Sequence, residues 1–136
     1  MLRDEHGSVS LAAHSALKNC LHAEEAEAKA LLLGLKLATS EGHAKIILET
    51  DCANAVVALR SKDTDRSSLC FVYNEAKSLL INFQDFLILS ASRDCNRVAD
   101  GLAKLAYSDG DRVLRNELPD SIRVLVTNDL PIDSSV

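Results

Sequence analysis

The stretch HAEEAEAKALLLGLKLATSEGHAKIILETD, from His22 to Asp51, decides what kind of fold this chain can adopt. Its first two thirds, His22 to Ser40, read as a helix. Alanine and leucine dominate it, both strong helix formers, and Leu31, Leu35 and Ala38 fall on one face. Glu24, Glu25 and Glu27 sit at the start, where negative charge suits the helix dipole, and Gly42 supplies a C-terminal stop. Then comes a short apolar strand, Ala44 to Glu49, ending at Thr50-Asp51. A helix followed by an apolar strand is the repeating step of an α/β sheet.

Working downstream, Ala53 to Arg60 continues as a second helix and Ser61 to Ser68 is a polar loop. Helical spacing returns from Leu69 to Ile81 through Val72, Ala76 and Leu80. Phe86 to Ala91 is another strand. Asp94 then caps a helix from Cys95 to about Tyr107, with Val98, Leu102 and Leu105 facing inward. Upstream, Met1 to Arg3 reads as the end of an apolar segment, Asp4 to Gly7 as a turn, and Ser8 to Ala16 as a strand. Strands separated by helices predict a sheet with parallel neighbours and helices packed on its faces. After Ser108 the character changes, with Asp109-Gly110-Asp111, Leu118-Pro119-Asp120 and an apolar Ile122 to Val126. The expected organisation is a domain over residues 1–108 and a C-terminal tail over 109–136.

Composition narrows the function classes. The 136 residues are one domain's worth, 47% hydrophobic and 26% charged, an ordinary globular balance. No apolar run approaches the ~20 residues that span a bilayer, and the N-terminus turns acidic at once with no apolar signal core. The expected address is therefore intracellular, cytoplasmic or nuclear, with no membrane partner. Cys20, Cys52, Cys70 and Cys95 form no C-x-x-C pair, and His6, His14, His22 and His43 offer no helical zinc spacing. Free, mostly buried thiols are the expectation. A net charge of −5 argues against a dense basic surface for nucleic acid. It leaves room for a site that holds nucleic acid through divalent metals clamped by carboxylates.

Three carboxylates stand out. Asp51 ends the strand Ala44–Thr50, and in α/β sheets sites form outside the carboxyl ends of parallel strands. Glu27 lies in the first turns of the Ala/Leu-rich helix, and Asp100 lies in the last helix between Ala99 and Gly101. Each has a bland alternative. Glu27 could be a capping charge, Asp51 a helix N-cap or turn residue, and Asp100 part of a solvated helix face.

The ensemble carries more than its members. Glu27 to Leu35 resembles the E-x-x-A-x-x-x-G-L helix of plant ribonuclease H-like domains, a branch of the type 1 ribonuclease H superfamily often attached to reverse transcriptases. Glu49-Thr50-Asp51-Cys52 is similar to their E-[ST]-D-[SC] strand end, and Arg93 to Ala103 to their R-x-x-N-x-x-A-D-x-L-A segment. Arg3-Asp4-Glu5-His6-Gly7 resembles their R-D-x-x-G turn, and Glu117-Leu118-Pro119 with Asp129-Leu130 a trailing E-x-P … D-L. Four of these motifs fall in order at compatible intervals, and with the tail the resemblance covers nearly the whole chain.

The resemblance implies an α/β fold of ribonuclease H type, a mixed sheet with helices on both faces. It implies a metal-dependent endonuclease that cuts the RNA strand of an RNA–DNA hybrid, leaving a 3′-hydroxyl and a 5′-phosphate. Glu27, Asp51 and Asp100 are the implied catalytic metal ligands, in a group of four acidic residues holding two Mg²⁺ or Mn²⁺. Hard cations take oxygen ligands, so carboxylates serve there and cysteines do not. Asn96 is the implied accessory polar residue. Arg93 stands where related nucleases carry a histidine loop, which leaves the general-base role to water or vacant.

One departure from the pattern matters. The family's first strand carries the fourth carboxylate, an aspartate, and is central, between the hairpin and the strand ending at Asp51. The expectation is an N-terminally truncated version of the fold, because Asp4 matches the turn aspartate instead. Three arrangements follow: a longer parent that supplies the strand, a hairpin closing directly onto the Asp51 strand, or Ile122 to Thr127 filling the gap as a strand. The family tail is helical, which weighs against the third. The alternative function is a catalytically inactive ribonuclease H-like binding or interaction module.

Overall fold

The computed structural model describes residues 1–4, 9–14, 22–63, 68–92, 97–110, 112–115 and 118–128. Among them are five strands and five helices, a mixed α/β fold: β1 (Leu2–Arg3), β2 (Val9–His14), α1 (Ala23–Ser40), β3 (Lys45–Thr50), α2 (Ala53–Arg60), α3 (Cys70–Leu80), β4 (Asp85–Ser90), α4 (Arg97–Asp109), β5 (Arg112–Arg115) and α5 (Asp120–Asn128). They divide between two compact units. One is continuous, Leu17–Ser92; the other joins Met1–Ala16 to Arg93–Val136.

The continuous unit is built on α1. Its buried positions, Ala28, Leu31, Leu35 and Ala38, repeat every three or four residues, the spacing of one helix face. His22 occupies the N-cap without a side-chain bond, and Glu24 and Glu25 supply negative charge to the first turn. The other end is closed by backbone geometry. Gly42 adopts φ 77°, its N–H donates to Thr39 O, and His43 N–H donates to Ala38 O. That pair of bonds is a Schellman motif, and only a residue tolerant of positive φ completes it cheaply.

Strand β3 runs parallel to β4, with Ile46 opposite Phe86, Leu48 opposite Ile88 and Thr50 opposite Ser90. Parallel partners need a crossover, and α2 and α3 provide it. Side chains alternate across the pair. Thr50 and Ile88 are buried on one face, whereas Ile47 and Leu87 on the other are more than half exposed. Ala55, Val56 and Leu59 of α2, together with Tyr73, Ala76 and Leu80 of α3, complete the core. Both helices begin and end within one residue of where hydrophobic spacing places them.

The second unit is assembled from the two ends of the chain. β1 and β2 pair antiparallel, with a register shift between Leu2 and Arg3, and β2 also pairs antiparallel with β5 from Leu11↔Arg115 to His14↔Arg112. Helices α4 and α5 pack into this unit through a cluster of Ala12, Val98, Leu102 and Ile122, flanked by Leu105, Leu114 and Leu125. Two expectations are corrected here. Among the described residues the hairpin's further ladder partner is β5, not the strand ending at Asp51. Ile122 to Thr127 is helical, as the family tail implies, so it fills no place in a sheet.

Gly101 shows why the last two helices meet so closely. A Cβ built on it would lie 2.7 Å from Leu125 Cδ1 and 2.9 Å from Ile122 Cδ1. The glycine of the A-D-G-L-A segment is thus a contact surface for α5. Gly110, with φ 70°, then turns the chain from α4 toward β5.

Candidate active site

The site is best built outward from Thr50. This residue is 3% exposed, the only buried polar side chain of the described core. Its hydroxyl oxygen accepts the Cys52 N–H at 3.1 Å, and its carbonyl accepts the Ala91 N–H at 2.8 Å. Both bonds hold the chain where it leaves the sheet, so the intervening Asp51 stands at a fixed, half-buried position beyond the carboxyl end of β3. Cys52, not Asp51, is the N-cap of α2, and its carbonyl accepts the Val56 N–H at 3.2 Å. The N-cap alternative for Asp51 is therefore corrected; the turn position stands.

The start of α1 is anchored to the same region. Asn54 Nδ2, three residues past Asp51, donates to Glu24 Oε2 at 3.4 Å, and Tyr73 Oη donates to Glu24 Oε1 at 3.3 Å. Glu24 thereby ties α1 to α2 and α3. Glu25 pairs with Lys29 at 2.9 Å along the helix. Glu27 lies one turn beyond Glu24, about 4.5 Å along the axis. It is exposed, at the rim of the stripe that Ala28 and Leu31 bury. The segments carrying Glu27 and Asp51 thus meet at one end of the continuous unit.

Asp100 belongs to the other unit, in the first turn of α4, flanked by the buried Val98 and Leu102. Arg93, Asn96 and the expected cap Asp94 lie outside the described residues. Among the described residues no group of three or more His, Cys, Asp or Glu side chains is placed to hold a metal ion. The donor chemistry of Glu27 and Asp51 nevertheless suits a hard divalent cation, since both offer carboxylate oxygen. Cys52 and Cys70 are free and half-buried, and neither thiol is suited to such an ion. Sequence reasoning missed the Asn54–Glu24–Tyr73 linkage. Its partners are 30 and 49 residues apart in the chain, and no spacing rule joins them.

A model of the family described as reverse transcriptase-like matches residues 1–106. The chain belongs to that ribonuclease H-like family. Its structure is similar to that of ribonuclease H1 from the halophilic archaeon Halobacterium salinarum NRC-1, with TM-score 0.58 and 32% identity, covering 64% of this chain and 67% of that one. It also resembles the N-terminal RNase H domain of a Mycobacterium tuberculosis protein, solved as a fusion with maltose-binding protein. There the TM-score is 0.58 and the identity 24%, over 62% of each chain, a likeness of fold. The chain thus spans about two thirds of the length of these structural relatives. No curated protein matches the sequence.

The ribonuclease H-like family is one of nucleic-acid-related hydrolases that generally use divalent metals. No helix among the described residues is long and apolar enough to cross a membrane.

Proposed function

We propose that the chain is a ribonuclease H-type endonuclease domain that hydrolyses the RNA strand of an RNA–DNA hybrid, with Glu27, Asp51 and Asp100 as metal ligands. The observation that carries this reading is the meeting of the Asp51 turn with the first turns of α1 through Asn54 and Glu24. It gathers two carboxylate-bearing segments at the carboxyl end of a parallel strand pair, where α/β folds place their sites.

Glu27, Asp51 and Asp100 would hold divalent cations, Mg²⁺ or Mn²⁺, whose chemistry would be to activate a water and stabilise the leaving oxygen of a phosphodiester. The chain's own part is placement. Thr50 fixes the turn that carries Asp51, and Glu24 fixes the end of the helix that carries Glu27. By the family resemblance, Asn96 is assigned as an accessory polar residue, and Arg93 as the residue that stands nearest in the sequence to the histidine loop of related nucleases. The products are an RNA 3′-hydroxyl and a 5′-phosphate.

The test is incubation with an end-labelled RNA–DNA hybrid in Mg²⁺ or Mn²⁺. Cleavage by the chain, lost in Asp51→Asn, supports the assignment; cleavage that persists in Asp51→Asn sinks it. Hybrid binding without cleavage in either metal would identify a binding module instead.

A further inference from the structure

The continuous unit has a second feature, at the opposite end from Asp51. Helix α2 starts beside Asp51 and runs for eight residues, about 12 Å, to Arg60, after which Ser61 and Lys62 turn away. There, with the last turn of α3 and the first half of β4, it borders an open groove of about 520 Å³. The floor is apolar, with Leu80, Ile81, Phe86 and Leu87 prominent, and the cations Arg60, Lys62 and Lys77 stand around it. Ile81 is 78% exposed and Leu87 51%. Exposed apolar surface gathered in one place on a protein marks an interaction site more often than a random surface.

The charge of the groove is unusual for this chain. The net charge is −5, yet no carboxylate lines the groove among the described residues. Arg60 donates from Nε (3.1 Å) and from Nη2 to the Ile88 carbonyl, and Lys77 Nζ donates to the Asp63 carbonyl at 2.7 Å. These acceptors are backbone carbonyls, one of them that of Asp63, so neither contact is itself an ion pair. Among the described residues no ion pair involves Arg60, Lys62 or Lys77.

We infer that this groove docks an acidic amphipathic helix of a partner protein, with apolar side chains on the floor and carboxylates on Arg60, Lys62 and Lys77. Charge complementarity selects the acid. The apolar floor selects a peptide over a nucleic-acid backbone, which would use the cations and leave the aliphatic side chains uncovered. Arg60 selects a helix over an added strand. Parallel pairing turns the N–H and C=O of Leu87 and Leu89 toward β3, so the Ile88 carbonyl faces the outer edge, where the guanidinium already occupies it.

The probe is a labelled synthetic helix about 16 residues long, with leucines at i, i+3, i+4 and i+7 and glutamates elsewhere, titrated into the full chain. Saturable binding with Kd on the order of 1–100 μM is expected, weakened at least ~10-fold by Lys62→Glu with Lys77→Glu and by Ile81→Ser. Amide shifts in the NMR spectrum should fall on Lys62, Lys77, Ile81 and Phe86. Ile81→Ser changes an exposed position and keeps the test independent of any folding defect in the double variant. Failure to saturate, equal affinity for a lysine-substituted version of the peptide, unchanged affinity in both variants, or displacement by single-stranded RNA would each overturn the inference. None of these outcomes bears on hybrid cleavage.

Discussion

The two compact units reach a packed core by different routes. The continuous one closes helix, strand, crossover and strand in chain order, so each element packs against near neighbours in sequence. The other requires β2 to find β5 roughly a hundred residues later and α5 to seat on α4 by way of a single glycine. Local construction tolerates change where space is open. Construction from distant pieces depends on a few close approaches.

The largest effect expected is in the continuous core. Leu35→Ala removes a side chain that is 1% exposed and should cost about 3–5 kcal/mol of stability, read as a shift in the urea unfolding midpoint. A cost below ~1 kcal/mol would mean the locally built core is far looser than its burial implies. Next, Asp51→Asn should lower hybrid cleavage at least ~100-fold, near 2.7 kcal/mol in barrier, with little change in melting temperature. A large loss of stability instead would recast Asp51 as structural.

Two helix glycines sharpen the contrast between units most directly. A Cβ on Gly34 would meet nothing within 4 Å, so Gly34→Ala should stabilise by about 0.5–1 kcal/mol through helix propensity. On Gly101 the same change meets the packed ends of Ile122 and Leu125. The overpacking cost of about 1–3 kcal/mol outweighs the propensity gain, so Gly101→Ala should lower the melting temperature. If both substitutions raise it, α5 does not depend on that contact. Smallest of all, Lys29→Ala breaks a half-buried i, i+4 pair with Glu25 and should change stability by less than ~1 kcal/mol.

The same division explains what the sequence made legible. In the continuous unit, Ala28, Leu31, Leu35 and Ala38 announce their face by spacing, and Gly42 announces the stop; both are local signals. Strand β3 is recognisable from Ile46 to Leu48, and the carboxylate that ends it comes with the strand. Strand β5 was not legible. It is four residues long, bounded by arginines, and exists because β2 offers it an edge. The β-branched residues of Ile122 to Thr127 favour a strand on propensity alone, yet the segment is helical. Pro119 and Asp120 open it as a helix, and burial of Ile122 against Gly101 rewards that form. Of the proposed site, Glu27, Asp51 and Asp100 are nominated by motif order. The supports are not, because the Thr50 hydroxyl and the Glu24 linkage act through geometry that no motif encodes.

The antiparallel pairing of β2 with β5 also sets a clock. At synthesis rates of about 5–20 residues per second, β2 leaves the ribosome some 5–20 s before its partner exists. Through that interval Leu11 and Ala12, which end as fully buried residues, have no finished core to enter. The edge of β2 stays available to any other strand nearby. A nascent chain of this design has reason to meet a chaperone early, while residues 17–92 are still emerging and free to fold on their own schedule.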